Sequence, residues 1–370
     1  MKDALVLLMT PNMSLEKWDS LGQLSRELNY YDKLCKKSGF KLIIYSYGRQ
    51  EKPLNDYPHI TVLQKFGWIP TRIPFRVQNW IYHLSSLFFY RKYFKKALIC
   101  KTNQFSASGF GLLLKFFYRI PLVVRMGYYY SHFKPISRIR GLSEKMAFRS
   151  ADLILTTSPE AANYIIRQYR IDPQKLLFTC NNIDLEIFKP LPFDKEWDLI
   201  FVGKLQAQKN IALVLEVVNK LNAKTLLIGK GSLEPMVSVA VGNNKNITWK
   251  KRVDNSDLAA YYNKAKCFLL LSEYEGNPKV LLEAMACGLP SVVTSVPGIR
   301  ECIAHQLNGI VVPQDPDHIK TQIEALLSDD SRMKQIGENA RHWVKEKCSM
   351  SENIDKEMAF YASFLLKNNP

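Results

Sequence analysis

Short apolar runs rich in β-branched residues alternate along the chain with segments whose apolar positions recur at helical spacing, the pattern of parallel sheets wound with helices on both faces. ALVLLM from Ala4 predicts a first strand, and the next segment places Leu24, Leu28, Tyr31 and Cys35 on one helical stripe that Gly39 ends. FKLIIYS, HITVLQ, ALICK, PLVVR, DLILTT and KLLFT predict further strands, with Ser158-Pro159 opening a helix between the last two. A second series predicts strands at DLIFVG, TLLIG, NITW, CFLLL, SVVTS and GIVVP. Between the series, IFKPLPFDKEW carries Pro190 and Pro192 and reads as an interdomain linker. The expected fold class is α/β, with two Rossmann-like doubly wound domains, 1–187 and 188–351, facing a central cleft. A C-terminal helix over about 352–370 is placed to pack back on the first domain.

One stretch breaks the apolar pattern. SEYEGNPKVLLEAMACGLPSVV, from Ser272, predicts loop, short helix, turn and strand, because Pro278 suits a helix start and Gly288 a helix end. Inside that helix Glu283 is surrounded by Val280, Leu281, Leu282, Ala284, Met285 and Ala286. A carboxylate there needs a partner, since an unpaired buried charge is costly. Lys279, four residues earlier, supplies only about 0.2–0.5 kcal/mol in that orientation. A vicinal diol such as a ribose would satisfy both carboxylate oxygens. Glu275 precedes the helix beside Gly276 and Asn277 and taken alone reads as a solvated loop acid. At the start of the second series Gly203 ends a strand, Lys204 follows it, and Lys209 lies at the start of the next helix. Lysine there opposes the helix dipole unless an anion such as a diphosphate sits between, although solvated surface lysines fit equally well.

Taken together these residues resemble the family 4 retaining glycosyltransferases of the GT-B fold. The resemblance rests on VGK followed by QKN, on LLIGKGS, and on the E-x7-E spacing of Glu275 and Glu283 within EGNP…LEAMACGLP, with ADLILTTSPEAA and NNIDLEIFKP in the first half. It implies that Glu283 holds the donor ribose and that Glu275 contacts the transferred sugar. Gly203, Gly276, Asn277, Pro278, Val280 and Lys251 then lie along the donor, and Lys204 and Lys209 stabilise the departing diphosphate. Gly22 resembles the glycine of the acceptor-side loop, and Arg125 or His132 stands where the family has a first-domain histidine. Lys204 replaces a more usual arginine, Asn182 a glycine, and Lys251 a frequent glycine near the base. The implied substrate is a UDP-, GDP- or ADP-sugar, with no other cofactor and no separate general base. The implied acceptor is a hydroxyl on a lipid-linked or cell-surface glycan, as in polysaccharide or lipopolysaccharide biosynthesis.

Composition bears on metal, redox state and partners. QDPDH offers a D-x-D pair, Asp315 and Asp317, but Asp315 and Pro316 sit where a helix cap and first residue belong, so no metal is expected. Seven cysteines without a C-x-x-C pair read as reduced core thiols of a cytosolic protein. No apolar run is long enough to span a bilayer. Residues 1–150 hold 25 Lys+Arg against 8 Asp+Glu, whereas 151–370 hold 26 of each, so the whole excess of +17 lies in the first half. From Thr61 to Ser150 there are 16 basic residues and one acid, Glu144, interleaved with Trp68, Phe75, Trp80, Phe88, Phe89, Tyr90, Tyr93 and Phe94. Most such aromatics are expected in a core and the cations on a solvated face, but the segregation also suits docking on anionic lipid at the inner face of a membrane, with Arg91, Lys92, Lys95 and Lys96 in contact. A nucleic-acid-binding protein is the other reading of the charge, but no such binding motif is present. A GT-B relative that epimerises or hydrolyses a sugar nucleotide is the other reading of the acids.

Overall fold

A computed structural model describes residues 2–127 and 138–368 of the 370. His132 lies outside the described residues. The chain divides into two compact units, Met1–Thr179 with Ile354–Pro370, and Cys180–Asn353.

The first unit holds a parallel sheet of β1 (Ala4–Leu8), β2 (Lys41–Tyr45), β3 (Ile60–Leu63), β4 (Ala97–Thr102), β5 (Leu122–Met126), β6 (Leu153–Thr156) and β7 (Leu176–Phe178), in the order β3-β2-β1-β4-β5-β6-β7. Every residue of β1 and β6 is buried, which is why these strands are continuous apolar runs with no polar alternation. After β1 come α1 (Leu15–Ser20) and α2 (Leu24–Ser38). Gly22 joins them: its φ of 66° lets its N–H reach the Asp19 carbonyl and that of Gln23 reach Trp18, closing α1 from its C-terminal end. Gly39 at φ 72° ends α2. Further on lie α3 (Phe75–Phe89), α4 (Arg91–Phe94) and α5 (Ser108–Tyr118), and the helix Pro159–Tyr169 is capped by the Ser158 hydroxyl as its Ser-Pro start predicts. The C-terminal helix Met350–Asn368 brings Glu357 into this core. There the carboxylate accepts from Lys101 Nζ at 2.5 Å, the Tyr30 hydroxyl at 2.6 Å and the Tyr361 hydroxyl at 2.5 Å. Burial works against the Glu357 charge, but the Lys101 ammonium and these hydrogen bonds outweigh it and hold the carboxyl below its ordinary value.

The second unit holds β8 (Trp197–Val202), β9 (Thr225–Ile228), β10 (Ile247–Lys250), β11 (Ala265–Leu270), β12 (Ser291–Thr294) and β13 (Ile310–Val312), all parallel, in the order β10-β9-β8-β11-β12-β13. The order reverses direction between β8 and β11, and the crevice outside the carboxyl ends of two such strands is where open α/β sheets take ligands. The proline-containing stretch read as a linker is held inside this unit. Leu191 N–H donates to Asn263 Oδ1 at 2.8 Å, and Lys195 Nζ donates to the Asn263 and Ala265 carbonyls. The cysteine expectation is corrected at one pair: Cys180 and Cys348, with Cα atoms 5.1 Å apart, form a disulfide, while Cys35, Cys100, Cys267, Cys287 and Cys302 are free and buried. Spacing in sequence conceals a pair that lies 168 residues apart.

Candidate functional site

In the second unit, the loops that follow β8 and β11 leave the same edge of the sheet because the two strands are parallel neighbours. They are tied to each other by Gln208, whose amide donates to the Tyr274 carbonyl at 3.0 Å and whose carbonyl accepts the Glu273 N–H at 2.9 Å. This clamp brings Lys209 and Glu275 into an ion pair. Ser272 Oγ also donates to the Glu275 carboxylate at 2.6 Å, and Thr294 Oγ1 fixes the Ser272 carbonyl from the end of β12. Glu275 is only 5% exposed, so the solvated loop acid expected from its residue type alone is corrected: a buried cation and a hydroxyl take the place of water. Lys209 is likewise withdrawn from solvent, whereas Lys204, directly after Gly203, is exposed. The two lysines are therefore not equivalent: one is anchored against a carboxylate and the other is exposed to solvent.

Gly276, Asn277 and Pro278 continue the β11 loop into the helix Lys279–Ala286, of which Pro278 is the N-cap residue. Asn277 is held by Asn181, whose N–H donates to its Oδ1 at 3.1 Å and whose amide donates to its carbonyl at 2.7 Å. A Cβ on Gly298 would collide with the Gly276 carbonyl oxygen, and one on Gly229 with that of Gly203. Both loops thus lie against neighbouring backbone that only glycine permits. Val280 is half-buried in the first turn of the helix. Glu283 is 1% exposed and accepts from Asn255 Nδ2 at 3.1 Å and from the Tyr262 hydroxyl at 3.3 Å. Two neutral donors from the helix Asn255–Asn263 therefore make an acid tolerable among apolar neighbours. Lys251, at the end of β10, pairs with Glu234 at 3.3 Å and lies over the Trp249 ring.

Sequence reasoning missed Gln208, Ser272, Asn181, Asn255 and Tyr262. Gln208 and Ser272 lie inside the quoted motifs but carry no charge to draw notice, and an aromatic at helical spacing reads as core. The D-x-D pair is a helix cap: Asp315 Oδ1 accepts the N–H groups of Asp317 and His318, and those bonds hold its carboxyl below the ordinary value. Asp317 pairs instead with Lys220 at 2.7 Å.

The acceptor-side candidates belong to the first unit. Gly22 is the helix-ending glycine described above, and Arg125 lies in β5, where its Nη1 donates to the Asn103 carbonyl at 3.3 Å. Arg91, Lys92, Lys95 and Lys96 are all exposed. So are Trp68, Phe75, Trp80, Phe88 and Phe89, at 41–64%, which corrects the expectation that the aromatics of this region are core; Phe94 alone of the eight is fully buried. Along α3, Arg76, Trp80, Leu84 and Phe88 recur every four residues on one exposed face.

Comparison with known proteins follows the same outline. An uncharacterized glycosyltransferase of Methanocaldococcus jannaschii is 36% identical over 172 residues, 44% of each chain. The D-inositol 3-phosphate glycosyltransferase 2 of Catenulispora acidiphila is 28% identical over 236 residues, 56% of this chain and 55% of that one. The chain thus spans about half the length of the curated relatives it matches. Among solved structures, sucrose-phosphate synthase from Thermosynechococcus elongatus superimposes with a TM-score of 0.81 at 18% identity, covering 98% of this chain and 100% of that one. The Anabaena protein HepE in complex with UDP and glucose gives 0.74 at 15%, covering 97% and 99%. These likenesses establish the GT-B fold. The family model "Glycosyltransferase Family 4" matches residues 33–187 and "Glycosyl transferases group 1" matches residues 182–343. With the two models following one another along the chain, and with relatives of the same kind, this protein belongs to the GT4-type glycosyltransferases of GT-B fold.

Proposed function

We propose that the chain is a retaining, metal-independent glycosyltransferase that moves a sugar from a UDP-, GDP- or ADP-sugar to a hydroxyl of a lipid-linked or cell-surface glycan. The observation that carries this reading is the buried Glu275 paired with Lys209 at the switch point of the second sheet, with the exposed Lys204 following β8. Cleaving a glycosyl phosphate bond leaves growing negative charge on the phosphate and positive character on the sugar. A fixed ammonium next to a fixed carboxylate matches both at once. Lys209 and Lys204 meet the diphosphate, Glu275 meets the sugar, and Glu283 is set for the ribose hydroxyls. The acceptor attacks from the face the phosphate leaves, and the departing phosphate takes its proton, so no further base is assigned. The solved relative HepE, bound to UDP and glucose, supports this choice of donor class.

The decisive experiment is incubation with a panel of UDP-, GDP- and ADP-sugars and hydroxyl acceptors, with and without excess chelator. Transfer to an acceptor in both conditions is expected. Free sugar or an epimer with no transfer would replace the reading with that of a hydrolase or epimerase, and loss of transfer restored by Mg²⁺ or Mn²⁺ would remove its metal-independent part. Failure to bind any nucleotide sugar, together with salt-sensitive binding of DNA or RNA, would replace it with the nucleic-acid reading.

We propose further that the first unit docks peripherally on an anionic membrane. Among the described residues no helix is long and apolar enough to cross a bilayer. The exposed stripe Trp80, Leu84 and Phe88, with Arg76 before it and Arg91 stacked on Phe88 at 5.5 Å, has the amphipathic character of an interfacial helix. Each near-surface cation contributes about 1 kcal/mol toward anionic lipid. In liposome flotation, binding is expected to need anionic lipid, to weaken with salt, and to fall when Arg91, Lys92, Lys95 and Lys96 are changed to glutamate. Indifference to lipid charge would leave the transferase reading standing without its membrane.

A further inference from the structure

The first unit buries a cation that no acid among the described residues neutralises. Lys65 follows β3 and is 2% exposed, yet Nζ meets only neutral acceptors, Gln78 Oε1 at 3.2 Å and Asn79 Oδ1 at 3.1 Å, with the Phe75 ring 4.6 Å away. Beside it stands a second cation, Arg49, after the end of β2. Its Nη2 donates to the same Gln78 oxygen at 3.2 Å, while Nη1 donates to the Phe66 and Gly67 carbonyls. Gln78 cannot turn away from them, because its own amide donates to the Thr71 and Ile73 carbonyls. Among the described residues no carboxylate lies within ion-pairing distance of Lys65 or Arg49, and the nearby Glu51 is taken up by Ser46 and the Leu15 N–H. Burial, and then the Arg49 charge, lower the Lys65 pKa to about 8.

Two adjacent cations sharing one amide oxygen repel each other, and a buried charge without a counterion is costly. The sequence sets this group at the carboxyl ends of β2 and β3. The loop after β1 joins it through Asn12, whose Oδ1 accepts from Asn79 Nδ2 at 3.4 Å. Ligands of open α/β sheets lie at this end of the strands.

We propose that Lys65 and Arg49, with Asn79 and Asn12 linked to Lys65 by hydrogen bonds, form a binding site for a phosphate group carried by the acceptor. The inference rests on the reading of the first unit as the acceptor-binding half, and it narrows that acceptor to an anionic one. Lysine supplies the point charge and arginine the fork that phosphate oxygens accept from in pairs. The exposed Phe75 and Trp68 nearby suit an apolar continuation of the same molecule. The phosphate could belong to a soluble phosphate ester or to a lipid headgroup, and the two are separated by measurement.

Calorimetric titration with glycerol 3-phosphate, and flotation with vesicles containing phosphatidic acid, test the site. Both use a Lys204→Gln, Lys209→Gln background, so that the nucleotide half contributes no phosphate binding. At least one probe is expected to bind, and Lys65→Met and Arg49→Gln are each expected to weaken it about tenfold or more. Binding of glycerol 3-phosphate identifies a soluble ester, and binding of the vesicles alone a lipid headgroup. If Lys65→Met does not fold, Arg49→Gln at its half-buried position decides. Binding unchanged in the variant or variants that fold, or no binding of either probe by the parent, overturns the site. In otherwise unchanged protein, the same substitutions are expected to raise KM for the acceptor and leave KM for the donor unchanged. Efficient transfer to neutral acceptors with no effect of either substitution would remove the inference and leave the transferase reading. Lys65-dependent phosphate binding without any transfer would do the opposite.

Discussion

Replacing Lys209 with methionine is expected to lower turnover about 10²-fold while KM for the nucleotide sugar changes only a few-fold. The reason is when the charge is needed. The Lys209 ammonium is paired with Glu275, so binding the donor gains little from it, but the negative charge on the leaving phosphate grows only as the bond breaks. An interaction made chiefly in the transition state appears in kcat. Glu283→Gln is expected to do the reverse. It keeps the shape of the buried side chain held by Asn255 and Tyr262 but removes the charge, so ribose contacts weaken in ground and transition states alike and KM for the donor rises. Steady-state kinetics with the true donor, on variants whose melting temperatures match the parent, check both. Equal and small effects from the two substitutions would sink the assignment of this site.

The second large effect is on stability. Lys101→Ala is expected to destabilise the first unit by about 3–5 kcal/mol, since it leaves Glu357 buried without its cation. Glu357→Gln is also expected to destabilise, since it leaves the buried Lys101 without its anion, although the amide oxygen still accepts from Lys101 or a tyrosine hydroxyl. The pH dependence carries a sign. The folded Glu357 pKa is lowered, so its contribution is complete above the unfolded carboxylate value of about 4.3 and fades as pH falls through the folded value. Urea unfolding at neutral and at acid pH is expected to show the parent losing stability toward acid faster than Glu357→Gln. Parallel acid limbs for the two proteins would show that Glu357 is not ionised in the fold.

All thirteen strands of the described residues were legible because each is a short run rich in apolar or β-branched residues, most of them buried within a parallel sheet and the edge strands β3, β7 and β10 partly open, a pattern that amino-acid order displays directly. The helix stops at Gly39 and Gly288 and the caps at Ser158 and Asp315 were legible for the same reason, being chemistry within a few residues. What stayed hidden was chemistry between distant residues. The need of Glu283 for a partner could be read from its neighbours, but Asn255 and Tyr262 could not, since they reach it from another helix. The burial of Glu275 depends on Lys209, 66 residues away, and on the Gln208 clamp. Residue type alone assigned the aromatics of α3 to a core, while the fold turned Trp80 and Phe88 outward.

The placement of Glu357 has a consequence for the order in which the protein is made. Its partner Lys101 is translated 256 residues earlier, and the whole of the second unit, Cys180–Asn353, emerges between them. The second unit is therefore complete in sequence before the first is. A nascent chain that has reached Asn353 holds a finished second unit and a first unit whose buried Lys101 has no counterion. Premature termination anywhere in that last stretch leaves the older half as the unstable one.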